Sequence, residues 1–390
     1  MAGRRRASGS SVVALCLLLV SLVACGGRAA TDSARDDVQR LLDRRAAAVL
    51  AHDASGYRHT GSAGGFAEVR ALPLADWSYR LTGLHRTGDR ATAEAELRYR
   101  IDGFDQAPMT ADRTLGLSRD ADGRWSVTSD RPAPRSAEQL WDRGAVTVVR
   151  GEHSLVLGVG QTRRTLEGYA DLGDRAVPAV SRAWGTDWSG RVVVLVPESL
   201  QGMAGLLGSP ASSYRGIAAV TTGETGAARS PADRIVVNPE AYGVLGAVGK
   251  QVVLTHEVTH VATRAQTATR TPLWLSEGYA DWVGYRDGGR TPAQAAPELA
   301  RSVAAGDVPA ALPDNGDFAF TGDSTALAKA YEGGWTACRL IAQRWGERRL
   351  GEFYRAVAAD GPETALADVL GTSPEQFTGW WRDYLRAEFG

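Results

Sequence analysis

Two histidines one helical turn apart, with a glutamate beside the first, mark Thr255-His-Glu-Val-Thr-His-Val261 as the part of the chain best equipped for chemistry. Residues at i and i+4 share a helix face, so His256 and His260 can both present an imidazole to one metal ion. Glu257 then stands beside that ion, where a carboxylate can take a proton from an attacking water. The apolar neighbours Val252, Val253, Leu254, Val258 and Val261 predict a buried helix, as a dry and rigid site requires. Two imidazoles leave zinc short of the three protein ligands usual in catalytic sites. The stretch Trp274-Leu-Ser-Glu-Gly-Tyr-Ala-Asp-Trp282 supplies a carboxylate, and Glu277 is the expected third ligand. Asp281 falls one turn later on the same face, where it can accept the outer N–H of a ligating imidazole. Gly278 is expected to let this second helix pack closely against the first.

HExxH followed by W-L-x-E-G-x-A-x-W resembles the gluzincin clan of zinc metallopeptidases, in particular the peptidase-MA-like domains of bacterial envelope proteins. The resemblance covers about residues 140 to 390, with its motifs concentrated between His256 and Trp335. It implies a zinc ion (Zn2+) held by His256, His260 and Glu277, with Glu257 as general base. Ala330-Tyr-Glu-Gly-Gly-Trp335 is similar to a Tyr-Glu-x-Gly stretch of the clan's aminopeptidases, whose tyrosine donates a hydrogen bond to the tetrahedral oxyanion. That implies the same role for Tyr331, at the opening of a helix running through Arg339-Leu-Ile-Ala-Gln-Arg344.

The chain also departs from those aminopeptidases. Their Gly-x-Met-Glu-Asn exopeptidase motif has no counterpart in Asp233-Arg-Ile-Val-Val-Asn-Pro-Glu240, which argues against aminopeptidase action. In the clan a nearby strand edge pairs with an extended substrate. Ile235, Val236 and Val237 are the candidates for such strand addition, with ordinary sheet pairing as the alternative.

Positioning these groups needs a framework, and 390 residues suffice for two domains and an export segment. A formal net charge of -1 gives no basic excess with which to neutralise phosphates, so nucleic acid is not an expected partner. Val38, Leu41, Leu42, Ala46 and Val49 recur at helical spacing and predict a helix from Ala34 to about Ala51. From Trp77 to Asp130 apolar and polar residues alternate, with turns at Gly88-Asp89 and Asp120–Gly123, as in an antiparallel sheet. Helix plus sheet resembles the cone-like nuclear-transport-factor fold. His52, His59 and His85 lie there without ligand spacing and are read as structural or surface residues.

Arg131-Pro-Ala-Pro-Arg135 is the expected linker. Beyond it, strands are predicted at Val146–Val149, Leu155–Leu157, Val192–Val196, Gly216–Val220 and Arg234–Val237. A helix is predicted from about Thr165 to Ala183, and mainly helix after Ala241. The expected class is α+β: a cone-like domain over residues 34–131, then a zinc domain over 136–390 with a small sheet and a mainly helical C-terminal part.

The chain begins as an exported protein would. Arg4, Arg5 and Arg6 precede an apolar run from about Val12 to Ala24, too short to span a bilayer comfortably. Leu22-Val-Ala-Cys25-Gly26 resembles a bacterial lipobox, so residues 1–25 read as a lipoprotein signal, Cys25 as the lipidated residue and 26–33 as a tether. Cys16 leaves with the signal, and Cys338, set in an apolar helical pattern, reads as a buried structural thiol. The expected activity is zinc-dependent hydrolysis of a peptide or protein substrate at the cell envelope, on a chain anchored to the membrane through its lipid. The alternative is a catalytically silent zinc-binding scaffold or receptor, against which an intact Glu257 argues.

Overall fold

The computed structural model describes residues 33–222, 232–319 and 323–390. The signal segment 1–25 with Cys25, and residues 26–32 of the tether, lie outside the described residues. Two compact units divide the chain: one holds residues up to Asp102 with Pro108–Ser136, the other Gly103–Ala107 with Ala137–Gly390. Arg131 and Pro132 of the expected linker are the last residues of a strand, not part of a free connection.

In the first unit, helix α1 (33–50) turns Val38, Leu41, Leu42, Ala46 and Val49 inward, and all five are buried. Two short helices follow, α2 (Ala54–His59) and α3 (Phe66–Val69). Strands β1 (Leu74–Thr87), β2 (Arg90–Ile101), β3 (Met109–Arg119) and β4 (Trp125–Pro132) then form an antiparallel meander in the order β1-β2-β3-β4. Alternation explains the burial: Trp77, Tyr79 and Leu81 of β1 face the same way as Ala93, Ala95 and Leu97 of β2. Gln39 on α1 ties the helix to the backbone of β1 on either side of Arg80. Its Nε2 donates to the Tyr79 carbonyl at 2.7 Å and its Oε1 accepts from Leu81 N at 2.8 Å. The inward face also carries a polar knot, in which Arg113 Nε donates to Asp130 at 2.8 Å and the Tyr79 hydroxyl donates to it at 2.7 Å. Burial of those charges is tolerable because each carboxylate oxygen finds a donor.

The second unit begins with strands β5 (Thr147–Arg150) and β6 (Ser154–Gly158) and the helix α4 (Arg163–Trp184). Next come β7 (Val192–Val196), α5 (Leu200–Leu207), β8 (Ala219–Thr221), β9 (Ile235–Val237) and α6 (Pro239–Gly243). The sheet order is β5-β6-β7-β9-β8, mixed in direction, with β8 antiparallel to β9. The Val192–Val196 run fits a central strand buried on both faces. The rest is helical: α7 (Ala247–Thr263), α8 (Leu273–Tyr285), α9 (Pro292–Ala295), α10 (Pro297–Ala304), α11 (Ser324–Trp345), α12 (Glu347–Asp360), α13 (Pro362–Leu370) and α14 (Pro374–Phe389). The fold is therefore mixed α and β in the arrangement expected: an antiparallel sheet, a second small sheet and a helical C-terminal part.

At the centre, α8 packs against both α7 and α11. Trp184, Tyr279 and Tyr354 meet edge-on with ring centroids 5.3–5.5 Å apart, joining α4, α8 and α12 into one core. Cys338 on α11 is fully buried, and burial pushes its thiol well above the ordinary range, which suits an inert core residue. Two expectations need correction here. Gly278 does not face α7; a Cβ on it would lie 2.3 Å from the carbonyl of Gly334, so it serves the contact with α11. The close approach to α7 is made at Gly284, where a Cβ would stand 3.0 Å from the Val252 carbonyl. The helix bearing Tyr331 also starts earlier than its motif suggests. Asp323 caps it by accepting from Thr325 N and Ala326 N, so Tyr331 lies well inside α11.

Candidate metal centre

From Val252 to Thr263 helix α7 is mostly buried, which fixes the direction of the side chains it sends toward α8. His256 and His260 leave it one turn apart, and Glu277 comes from α8. Their donor atoms form a tight triangle: 2.9 Å between the two Nε2 atoms, 3.2 Å from His256 Nε2 to Glu277 Oε2, and 3.4 Å from His260 Nε2 to the same oxygen. Ligands about 2.0 Å from a tetrahedral zinc ion stand about 3.3 Å from one another, so the triangle has the right size. These three form a cluster able to hold a metal ion among the described residues.

The chemistry of the donors points the same way. Two imidazole nitrogens and a carboxylate oxygen converge on one point, where a cation could take the place of the shared proton. Asp281 Oδ1 lies 2.8 Å from His256 Nδ1. With that nitrogen protonated and donating, the lone pair of Nε2 points into the triangle. Burial pulls the His256 pKa down, yet Asp281 and Glu277 outweigh it and hold the imidazole well above its ordinary value. Burial likewise pushes Glu277 up, but His260 and His256 overcome this and hold its carboxyl well below the usual range. A site that so strongly favours positive charge beside negative charge suits a divalent cation.

Glu257 points off the same helix turn and is buried. Its Oε2 accepts a hydrogen bond of 2.7 Å from the Thr221 hydroxyl, which also lies 3.1 Å from the Glu257 main-chain oxygen. Tyr331 stands across the site, its ring centroid 6.4 Å from that of His256 and steadied edge-on by Phe318 at 5.2 Å. His256, Glu257, Asp281 and Tyr331 all line one cavity of about 700 Å³. Ile217, Val252, Leu327 and Trp335 give that cavity apolar walls.

The structure thus brings together His256, His260, Glu277, Asp281, Glu257 and Tyr331. It does not bring Ile235–Val237 to an open edge. Strand β9 is held between β7 and β8, with both sides of its backbone engaged, so strand addition there is ruled out. The outer strand is β8, and Gly216–Ala219 leading into it line the cavity. His52, His59 and His85 stay on the surface of the first unit.

Two residues of the site escape the sequence patterns. Thr221 is recognisable only once β8 is seen to cross above α7. Glu332 lies in the quoted Tyr-Glu stretch but acts on a different helix. Its carboxylate accepts from Glu298 N at 3.2 Å and Leu299 N at 2.6 Å, capping α10. No protein-family model matches the chain, and no curated protein matches it.

Proposed function

We propose that the chain is a zinc-dependent hydrolase whose substrate is a peptide bond. The observation that carries this reading is the triangle of His256, His260 and Glu277 with Glu257 beside it, where His256 and Glu257 line one cavity. A zinc ion held there supplies Lewis-acid polarisation of a carbonyl and makes water easier to deprotonate. Glu257 takes the proton of the attacking water and later delivers it to the leaving amine. Tyr331 donates its phenolic proton in a hydrogen bond to the oxyanion as the carbonyl becomes tetrahedral. Asp281 holds His256 in the tautomer that ligation needs.

The cavity's apolar walls support an uncharged side chain beside the scissile bond. An extended substrate backbone has a partner in the outer side of β8, the role for which the family resemblance made Ile235–Val237 candidates. The same reading keeps the chain at the cell envelope through lipid on Cys25. Substitution Cys25→Ser is then expected to abolish lipidation and release the protein from membranes.

The activity is tested with soluble protein lacking residues 1–25, loaded with zinc and mixed with a diverse peptide library. New peptide termini that disappear on chelation support the hydrolase. Full zinc occupancy with no cleavage across the library supports the silent scaffold instead.

A further inference from the structure

Glu257 receives one side-chain hydrogen bond among the described residues, and it comes from the sheet rather than from the helices that carry the metal cluster. Thr221 is the last residue of β8 and is wholly inaccessible to solvent. Its hydroxyl meets Glu257 twice, at Oε2 (2.7 Å) and at the main-chain oxygen (3.1 Å). No ion pair reaches the Glu257 carboxylate among the described residues, so no other charged group fixes its orientation.

A glutamate side chain has three rotatable bonds, and a general base acts only when its oxygen lies within hydrogen-bond reach of the proton it takes. A single buried hydroxyl that grips one carboxylate oxygen removes most of that freedom. It also leaves Oε1, which has no protein donor among the described residues, to meet water in the cavity. Valine at this place would fill the same volume and preserve the β-branched shape that suits a strand. Only the donor would be lost. The neighbouring residues Ala218 and Ala219 line the cavity, so the strand that offers its backbone to an extended substrate also holds the base.

We propose that Thr221 is the positioning residue for Glu257: its hydroxyl, anchored in the edge strand, fixes the carboxylate in the orientation from which it takes the proton. This rests on the hydrolase reading for its kinetic consequence, but its structural consequence does not depend on turnover.

The experiment compares Thr221→Val and Thr221→Ser in the zinc-loaded protein lacking residues 1–25. Both variants are expected to retain about one zinc per chain and a cooperative unfolding transition. On the best peptide found for the wild type, Thr221→Val is expected to lower kcat about 10- to 100-fold with KM changed less than about threefold. Thr221→Ser restores the hydroxyl and is expected to recover kcat to within about fivefold of wild type. Crystal structures of the two variants supply the second readout: Glu257 should leave its wild-type rotamer in the valine protein and keep it in the serine protein. An unchanged Glu257 rotamer in Thr221→Val would overturn the proposal, as would a serine variant as slow as the valine one. A wild type that holds zinc but cleaves nothing contradicts the hydrolase reading alone, because the rotamer still decides the part played by Thr221.

Discussion

Gly278 on α8 and Gly334 on α11 meet backbone to backbone. A Cβ on Gly278 would lie 2.3 Å from the Gly334 carbonyl, and one on Gly334 would lie 2.5 Å from the Trp274 carbonyl. Neither clash falls on a flexible side chain that could swing away. The contact sets the separation of two helices that carry Glu277 on one side and Tyr331 on the other.

Alanine at either glycine therefore forces these helices apart. Gly278→Ala is expected to cost about 1–3 kcal/mol of stability and to weaken zinc binding by shifting the adjacent Glu277. Urea unfolding and metal titration check both effects. Wild-type stability together with wild-type zinc affinity would show that the helices are not held at contact distance there.

Asp281 reaches the proposed metal site only through His256, whose Nδ1 lies 2.8 Å from its Oδ1. Replacing it by asparagine keeps the shape but removes the charge that holds the His256 Nδ1 proton. Zinc affinity is expected to fall about 10- to 100-fold while the unfolding midpoint of the metal-free protein changes little. Equal zinc affinity in Asp281→Asn would mean that His256 is oriented by packing alone.

Glu332 gives a stability signature in pH. Burial pushes its carboxyl up to about 7, although the backbone N–H groups of Leu299 and Glu298 pull it down. Between about 4.5 and about 7 the folded protein keeps a proton that the unfolded chain has released. Stability contributed by this group accordingly falls as pH rises through that window and is flat beyond it. Glu332→Gln has no such carboxyl, so the stability of the variant relative to wild type should climb from about pH 4.5 to about pH 7. Parallel pH curves from urea unfolding would contradict this assignment.

Local patterns made much of this protein readable before its structure. The five apolar positions of α1 needed only a period of 3.6, and all five are buried. The i, i+4 histidines and the Glu277–Asp281 pair are likewise local, since one helix turn fixes their common face. What stayed hidden depends on partners distant in sequence. Arg113 on β3 occupies an inward position that its pairing with Asp130 makes tolerable. The runs at β8 and β9 are both short and apolar, and nothing in their composition tells which one forms the edge. Gly278 announced a close contact, but the expected partner α7 was the wrong helix, since a Cβ on it would face Gly334 of α11. Thr221 lay just past the strand expected over Gly216–Val220, and its importance rests on a hydrogen bond to a residue on another element.

The most direct measurement compares peptide cleavage by zinc-loaded wild type and Glu257→Gln, each with its metal content determined. Glu257 is outside the triangle formed by His256, His260 and Glu277, and glutamine keeps its size while removing its basicity. The variant should therefore hold about one zinc per chain and cleave slower by a factor of about 100 or more. Cleavage by Glu257→Gln at the wild-type rate, with zinc bound in both proteins, would contradict the account of this site as a hydrolytic centre built around Glu257.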